Sequence, residues 1–342
     1  MKSLVLPPLA SLYGAITRTR ASLYERGTFR SHKLDPPVIS VGNITAGGTG
    51  KTPLVEFVSR TLAEEGKRVC ILTRGYGREN SDRRVLVSDG QTVFSNPAEA
   101  GDEPFLLANN LKGVAAVISD ANRFAAGEGA IKHLGTNCFV LDDGFQHLQL
   151  ARNLDIVTID ATNPWGGGKM LPFGLLREPL SGLKRADCFV ITRSDQTVSV
   201  ESIRRDLGEL SGDRPTFNSR MVTRGIVPLF EATTPFTPSQ KLAAFCAVGN
   251  PKSFFQHLEQ SGFRSVIQQS YPDHYVYKQG DIDRLTKRAS QGGASALITT
   301  AKDAVKLSSL NFTLPCYVLE AEIQIDDENE FRRLLLSATN IR

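Results

Sequence analysis

The chain predicts an α/β fold of the P-loop NTPase type: a mostly parallel sheet flanked by helices, with a second, smaller α/β domain and an N-terminal amphipathic helix. Three observations carry this expectation. Residues 38–53, Val-Ile-Ser-Val-Gly-Asn-Ile-Thr-Ala-Gly-Gly-Thr-Gly-Lys-Thr-Pro, run from an apolar strand through a glycine-rich turn into a helix. Short apolar runs alternate with helical periodicity as far as Thr192. The run 138–141 closes on Asp142-Asp143, an apolar strand ending in acid downstream of the glycine turn.

In the first stretch, Leu54, Phe57, Val58 and Leu62 recur at helical spacing after Thr52. Strand, glycine turn, Lys-Thr and helix start are the context a phosphate-binding loop requires. Gly47, Gly48 and Gly50 let backbone N–H groups turn inward on phosphate oxygens, where a Cβ would obstruct them. Lys51 can reach the β- and γ-phosphates, and the Thr52 hydroxyl can ligate magnesium. The predicted nucleotide-binding set is Thr45, Ala46, Gly47, Gly48, Thr49, Gly50, Lys51 and Thr52, with ATP and Mg2+ as the implied cofactors. One position departs from the usual pattern: its first glycine is Thr45 here.

With 342 residues, 41% of them hydrophobic and 22% charged, the chain can bury a large core without disulfides. Its five cysteines sit singly in apolar runs with no Cys-x-x-Cys pair, and read as buried, reduced and structural. No His/Cys group has zinc-ligand spacing. Residues 1–33 hold six basic residues against Glu25 alone, a net +5 in a chain whose total is +4, so the remainder sums to −1. The excess is an N-terminal feature and does not indicate a nucleic-acid-binding surface.

In the N-terminal segment, Leu9, Leu12, Tyr13 and Ile16 share a helical face that Leu23 and Tyr24 continue, with Arg18, Arg20 and Arg26 nearby. No apolar run is long enough to span a bilayer, and Pro7-Pro8 would disturb one. Lys2 and the apolar residues 4–10 have the outline of a signal peptide, which a loop needing cytosolic ATP opposes. Two readings stay open: a helix lying on an anionic membrane surface, or a helix docked on the core.

Beyond the glycine turn, residues 68–73 form a second strand running into Arg74-Gly-Tyr-Gly77. Gly101-Asp-Glu-Pro104 precedes an apolar helix, where Asp102 and Glu103 complement the helix dipole or serve a metal or a proton transfer. Strand 114–118 leads to a helix opening at Asp120-Ala-Asn-Arg123. The Asp142-Asp143 pair fits the position where such sheets hold magnesium. After strand 154–159 comes a glycine-rich loop with the only Trp, ending near Arg177. Strand 188–192 closes the series, and Thr192-Arg-Ser-Asp195 reads as a turn. The pattern weakens over 221–238, predicting a linker. Strands 242–248, 266–268, 296–300 and 317–320, with helices over 251–260 and 282–289, then predict the smaller domain. The expected division is therefore 1–33, 34–220, 221–238 and 239–342. His274 lies among aromatic neighbours in Tyr271-Pro-Asp-His-Tyr-Val-Tyr277, a setting in which a lone histidine is more often structural.

As a set, these motifs are familiar. Residues 42–53, Arg74-Gly-Tyr-Gly77, Gly101-Asp-Glu-Pro104, Asp142-Asp-Gly-Phe-Gln146, Leu171-Pro-Phe-Gly-Leu-Leu-Arg-Glu-Pro179, Asp273-His274 and Lys302-Asp-Ala-Val-Lys306 resemble the tetraacyldisaccharide 4′-kinases of lipid A biosynthesis, nearly end to end. The resemblance implies transfer of the ATP γ-phosphate to the 4′-hydroxyl of an acylated glucosamine disaccharide 1-phosphate. It implies two domains closing over the nucleotide, with Lys51, Asp102 and His274 catalytic. Thr52, Glu103, Asp142 and Asp143 would lie around magnesium. Arg123 and Arg177 would contact substrate anions, with Asn43, Tyr76 and Gln146 beside the substrate. It also implies peripheral attachment to the cytoplasmic face of the inner membrane, with an acylated disaccharide as partner and neither nucleic acid nor a protein partner. The competing reading is a nucleotide-switched P-loop ATPase of the partitioning or metallochaperone kind, or a GTP-using relative. Such ATPases commonly carry lysine where this chain has Ala46.

Overall fold

The computed structural model describes residues 2–340 except Val198 and Ala232, with side chains described from residue 6 onward. Met1, Ile341 and Arg342, at the ends of the predicted segments 1–33 and 239–342, lie outside it, as do the side chains of Lys2 and Leu4.

Helix α1 (Lys2–Glu25) carries Pro7 and Pro8 inside its first turns. It docks through its small residues: Ala10 is buried, and a Cβ at Gly14 would touch Met170 at 3.4 Å. The predicted apolar face therefore splits. Leu9, Leu12 and Ile16 stand 45, 58 and 56% exposed, while Tyr13 turns toward the interior cavity described below.

β1 (Val38–Gly42) leads through the glycine loop into α2 (Lys51–Glu64), and β2 (Val69–Thr73) and β3 (Val85–Ser88) follow. α3 (Pro97–Ala100) and α4 (Asp102–Asn110) meet at Gly101, and β4 (Ala115–Ser119) comes next. α5 (Arg123–Leu134) is capped by Asn122, whose side chain accepts from the Ala125 amide. β5 (Cys138–Asp142), β6 (Leu154–Asp160) and β7 (Cys188–Thr192) are buried along their whole length, as strands covered on both faces must be. α6 (Val200–Ser211) and β8 (Thr216–Pro228) complete the first half of the chain.

The second half runs β9 (Leu242–Cys246), α7 (Pro251–Gln260), β10 (Ser265–Ser270), α8 (Gln279–Gln291), β11 (Ala296–Thr300), α9 (Ala301–Ala304), β12 (Cys316–Ile325) and α10 (Glu328–Thr339). All these strands join one sheet in the order β10-β9-β11-β12-β8-β7-β6-β1-β5-β2-β4-β3. Among the described residues only β3–β4 and β8–β12 pair antiparallel. The sheet is continuous through β8 alone, which pairs β7 over Thr216–Asn218 and β12 from Ser219 to Pro228.

Two expectations need correction here. The predicted linker 221–238 begins inside β8, most of whose residues from 221 on are half-buried, so the strand lacks the alternation that one packed and one solvated face would give. Nor does the whole of 239–342 stay with the smaller half. α10 returns to the first: Phe331 is fully buried, 5.1 Å from the Phe217 ring and 5.9 Å from Phe57, in one cluster with Ile39, Leu54 and Val58. α6 and α10, unassigned in the sequence analysis, are regular amphipathic helices. All five cysteines are buried and free. Among the described residues no helix is long and apolar enough to cross a membrane.

Candidate active site

The glycine loop is held open by its neighbours. Asn43 is fully buried and its amide donates to Thr45 O at 2.7 Å and Thr49 Oγ1 at 2.9 Å. Gly50 takes φ 78° to cap α2 left-handed, and a Cβ there would meet Thr192 Cγ2 at 3.3 Å. Residues 46–53 line a cavity of about 1140 Å³ that continues past Arg74, Tyr76, Arg123, Asp143, Gln146 and His274. Asn43 and Thr45 lie outside the lining, and Thr45 is buried in a β-bridge to Leu176. Ala46 does line the cavity, but its amide is spent on Leu175 O at 2.7 Å.

Opposite the loop, the end of β5 carries the acidic pair. Lys51 Nζ stands 3.5 Å from Asp143 Oδ1, and Arg177 Nη1 donates to both Asp143 oxygens at 2.7 Å. Burial alone would raise the Asp143 pKa, but Lys51 and Arg177 outweigh it and hold the carboxyl well below the usual range. Asp142 has no such partner; its Oδ2 accepts from Thr73 Oγ1 at 3.2 Å. Burial, then the negative charges of Glu103 and Asp143, push its pKa up to about 6.

The predicted anion contacts are differently occupied. Arg123 is buried and donates to the main-chain oxygens of Asp142 at 2.8 Å and Asp143 at 3.2 Å, fixing the turn that presents them. Arg177 is the Asp143 ion-pair partner. Gln146 Nε2 donates to Asn43 O and Glu178 Oε1, both at 2.7 Å, so its amide braces the loop. Tyr76 is 52% exposed on the cavity wall with Arg74 over its ring at 5.2 Å, and is the member of this set that presents most surface to a ligand.

The far wall comes from the second half. His274 Nδ1 lies 3.4 Å from Asp102 Oδ2, and His274 itself holds φ 59°. Lys302 Nζ reaches Glu103 Oε1 at 2.9 Å and Asp273 Oδ1 at 3.3 Å; burial disfavours its charge, but these two carboxylates outweigh that and raise its pKa. Lys306 Nζ lies 3.9 Å from Asp102 Oδ2 and 3.2 Å from the fully buried Asp303. Neither lysine was singled out from the sequence as a site residue. Their i, i+4 spacing just beyond β11, at the C-terminal edge where such sheets bind ligands, is the signal that points to them.

A phosphate-binding loop at the end of a buried parallel strand, faced by an acidic strand end and a second set of titratable groups, defines a P-loop nucleotide-binding enzyme of the phosphotransferase class. The comparisons narrow this. The LpxK family, described as tetraacyldisaccharide-1-P 4′-kinase, matches residues 2–340. The chain is 43% identical over 311 residues to the tetraacyldisaccharide 4′-kinase of Geobacter metallireducens, covering 89% of each. It is 39% identical over 332 residues to that of Desulfotalea psychrophila, covering 96% of this chain and 94% of the relative. The solved "apo" form of LpxK from Aquifex aeolicus in complex with ATP aligns with a TM-score of 0.74 at 30% identity, over 97% of this chain and 98% of that one. The chain belongs to the tetraacyldisaccharide 4′-kinase family, and it is a kinase.

Proposed function

We propose that this chain transfers the γ-phosphate of ATP to the 4′-hydroxyl of a tetraacylated glucosamine disaccharide 1-phosphate, giving lipid IVA. The observation that carries the reading is the Asp102–His274 contact, which pairs a carboxylate of the first half with an imidazole of the second beside the phosphate-binding loop. A sugar hydroxyl is a poor nucleophile until a base within hydrogen-bond reach takes its proton. Asp102 is that base, His274 orients it or relays the proton, and Lys51 balances charge on the phosphates. Because the dyad is drawn from both halves, it is complete only when they meet, which keeps ATP from reacting with water. The two halves accordingly act as two domains hinged at the β8–β12 ribbon.

Magnesium fits the residues present. Among the described residues no three His, Cys, Asp or Glu side chains gather to hold a metal unaided. Magnesium, however, takes one or two carboxylates and completes its shell with phosphate oxygens and water. Asp142, whose pKa is raised by burial and then by the charges of Glu103 and Asp143, is an oxygen donor suited to a cation. Thr52, Glu103 and Asp142 would hold it, and it would neutralise phosphate charge. Asp143 serves Lys51 and Arg177 instead.

The exposed stripe Leu9, Leu12 and Ile16 supports seating of α1 on the anionic cytoplasmic face of the inner membrane. From there Tyr13, Thr17 and Arg20 line the way into the cavity. The nucleotide-switch alternative is disfavoured by Ala46, which offers no lysine to a partner's phosphates. Incubating the chain with acylated disaccharide and ATP, or GTP, and locating the new phosphate by mass spectrometry tests the reading. Nucleotide hydrolysis without a phosphorylated lipid would sink it.

A further inference from the structure

The N–H and C=O groups of a peptide point to opposite sides, so a loop turning amides inward presents carbonyls outward, where they need donors. Two consecutive residues at the end of β7, its last residue Thr192 and the following Arg193, supply them. Thr192 Oγ1 donates to Thr49 O at 2.9 Å, and Arg193 Nη2 donates to Gly48 O at 2.8 Å. Arg193 holds φ 57°, a backbone conformation residues with side chains seldom adopt. Its Nη1 donates to Asp160 Oδ2 at 2.6 Å, an ion pair whose side chains are 13 and 9% exposed. That same oxygen accepts Asn250 Nδ2 at 3.2 Å, and Asn250 is the N-cap of α7 in the second half. Next to it, Gly249 approaches so closely that a Cβ there would stand 2.3 Å from Gly48 N. One carboxylate oxygen is thus shared by a group holding the phosphate loop and a group holding the other half of the protein.

We propose that Arg193 is a positioning residue, and that Arg193, Asp160 and Asn250 form a relay coupling nucleotide in the glycine loop to docking of the β9–α7 turn. Through that docking the relay brings His274 onto Asp102. The part of this concerning turnover rests on the kinase reading above. A phosphate drawing on the Thr49 amide fixes the peptide it shares with the Gly48 carbonyl, that carbonyl fixes the guanidinium, and the rigid fork passes the orientation to Asp160 and on to Asn250. Lysine, a point charge on a flexible stem, can hold one of the two partners but not both.

The test uses the full chain with Arg193→Ala, Arg193→Lys and Asn250→Asp. The aspartate keeps the helix cap on the Ser253 amide but sets a carboxylate against Asp160. Three quantities are read: the Kd of the β,γ-methylene analogue of ATP, kcat with acylated disaccharide, and hydrogen exchange of residues 271–277 with and without the analogue. Asn250→Asp should keep the analogue Kd within about threefold while lowering kcat about tenfold, as loss of a charged hydrogen bond does. It should also abolish the protection the analogue confers on 271–277. Arg193→Ala should add about tenfold weaker analogue binding, which Arg193→Lys recovers without recovering the protection. Combining Arg193→Ala with Asn250→Asp should lower kcat no further than Arg193→Ala alone. Wild-type protection and kcat in Asn250→Asp, or losses that multiply in the double variant, overturn the relay. Asn250→Ser, which retains the cap without added charge, decides the matter in the same way if the aspartate variant does not fold. Should the wild-type chain phosphorylate no disaccharide, the kinase reading fails, and the exchange arm alone then upholds or overturns the relay.

Discussion

Lys51 and Arg177 share one carboxylate: Asp143 receives Arg177 Nη1 at 2.7 Å on each oxygen and has Lys51 Nζ at 3.5 Å. The phosphate-loop lysine is therefore aimed by an ion pair anchored on the Arg177 loop, 34 residues beyond Asp143. Lys51→Ala should lower transfer by at least about a hundredfold, because it removes charge balance where charge develops. Its denaturant midpoint should stay near wild type. Near-normal turnover of Lys51→Ala, measured by lipid phosphorylation, refutes the assignment.

Asp102→Ala and His274→Ala should each reduce kcat by about a hundredfold or more with little change in KM for ATP. The two residues are in contact, so the double variant should lose far less than the product of the single losses. Steady-state kinetics of the four proteins decide this. Fully multiplicative losses mean the pair does not act together.

On α1, Leu12→Asp with Ile16→Asp changes two exposed side chains, so thermal stability should not fall. Co-sedimentation with anionic vesicles should drop, and KM for the lipid should rise with KM for ATP unchanged. Salt should weaken attachment of the wild-type protein. Equal partitioning of variant and wild type at low salt makes α1 a packing helix only.

His147 lines the cavity, and its pKa is lowered to about 3 by burial, then by Arg123, Arg152, Arg20 and Arg74. The unfolded chain takes up this proton first, near pH 6.5. The neutral imidazole's contribution is therefore intact above that pH and is lost progressively as pH falls toward 3. His147→Gln should flatten the decline in unfolding free energy through this window. Identical pH slopes for the two proteins, followed by urea unfolding, contradict it.

Phe331→Ala should destabilise the chain by about 3–5 kcal/mol, the usual cost of emptying a buried aromatic site. Because the ring packs between Phe57 and Phe217, the loss should be sensed by nucleotide in the glycine loop. Saturating the ATP analogue should recover part of the lost midpoint. A urea midpoint within error of wild type would falsify this packing.

What could be read from the sequence was what is local. The strand, glycine turn and Lys51-Thr52 lie within sixteen consecutive residues, and the acidic end of β5 needs only the next two. Asp102 and His274 required the family resemblance, since nothing in either stretch shows that residues 172 positions apart will meet. The contacts of Asn43, Arg123 and Gln146 were hidden for the opposite reason. Their side chains advertise donors, but the sequence does not say that a main-chain carbonyl will take them. β8 hid because a strand half-buried along most of its length has no periodic burial. α10 shows helical spacing at Phe331, Leu335 and Ala338, and that pattern is the same whichever core receives it.

The return of α10 also constrains how the protein is made. The wall behind α2 is built from residues that leave the ribosome after the whole of 229–315. A nascent chain paused at residue 300 already contains the whole glycine loop, yet leaves Leu54, Val58 and Phe217 without Phe331 and Leu335 over them. The nucleotide-binding half cannot ripen in the N-to-C order of synthesis, and until α10 emerges it offers apolar surface to chaperones and to other unfinished chains.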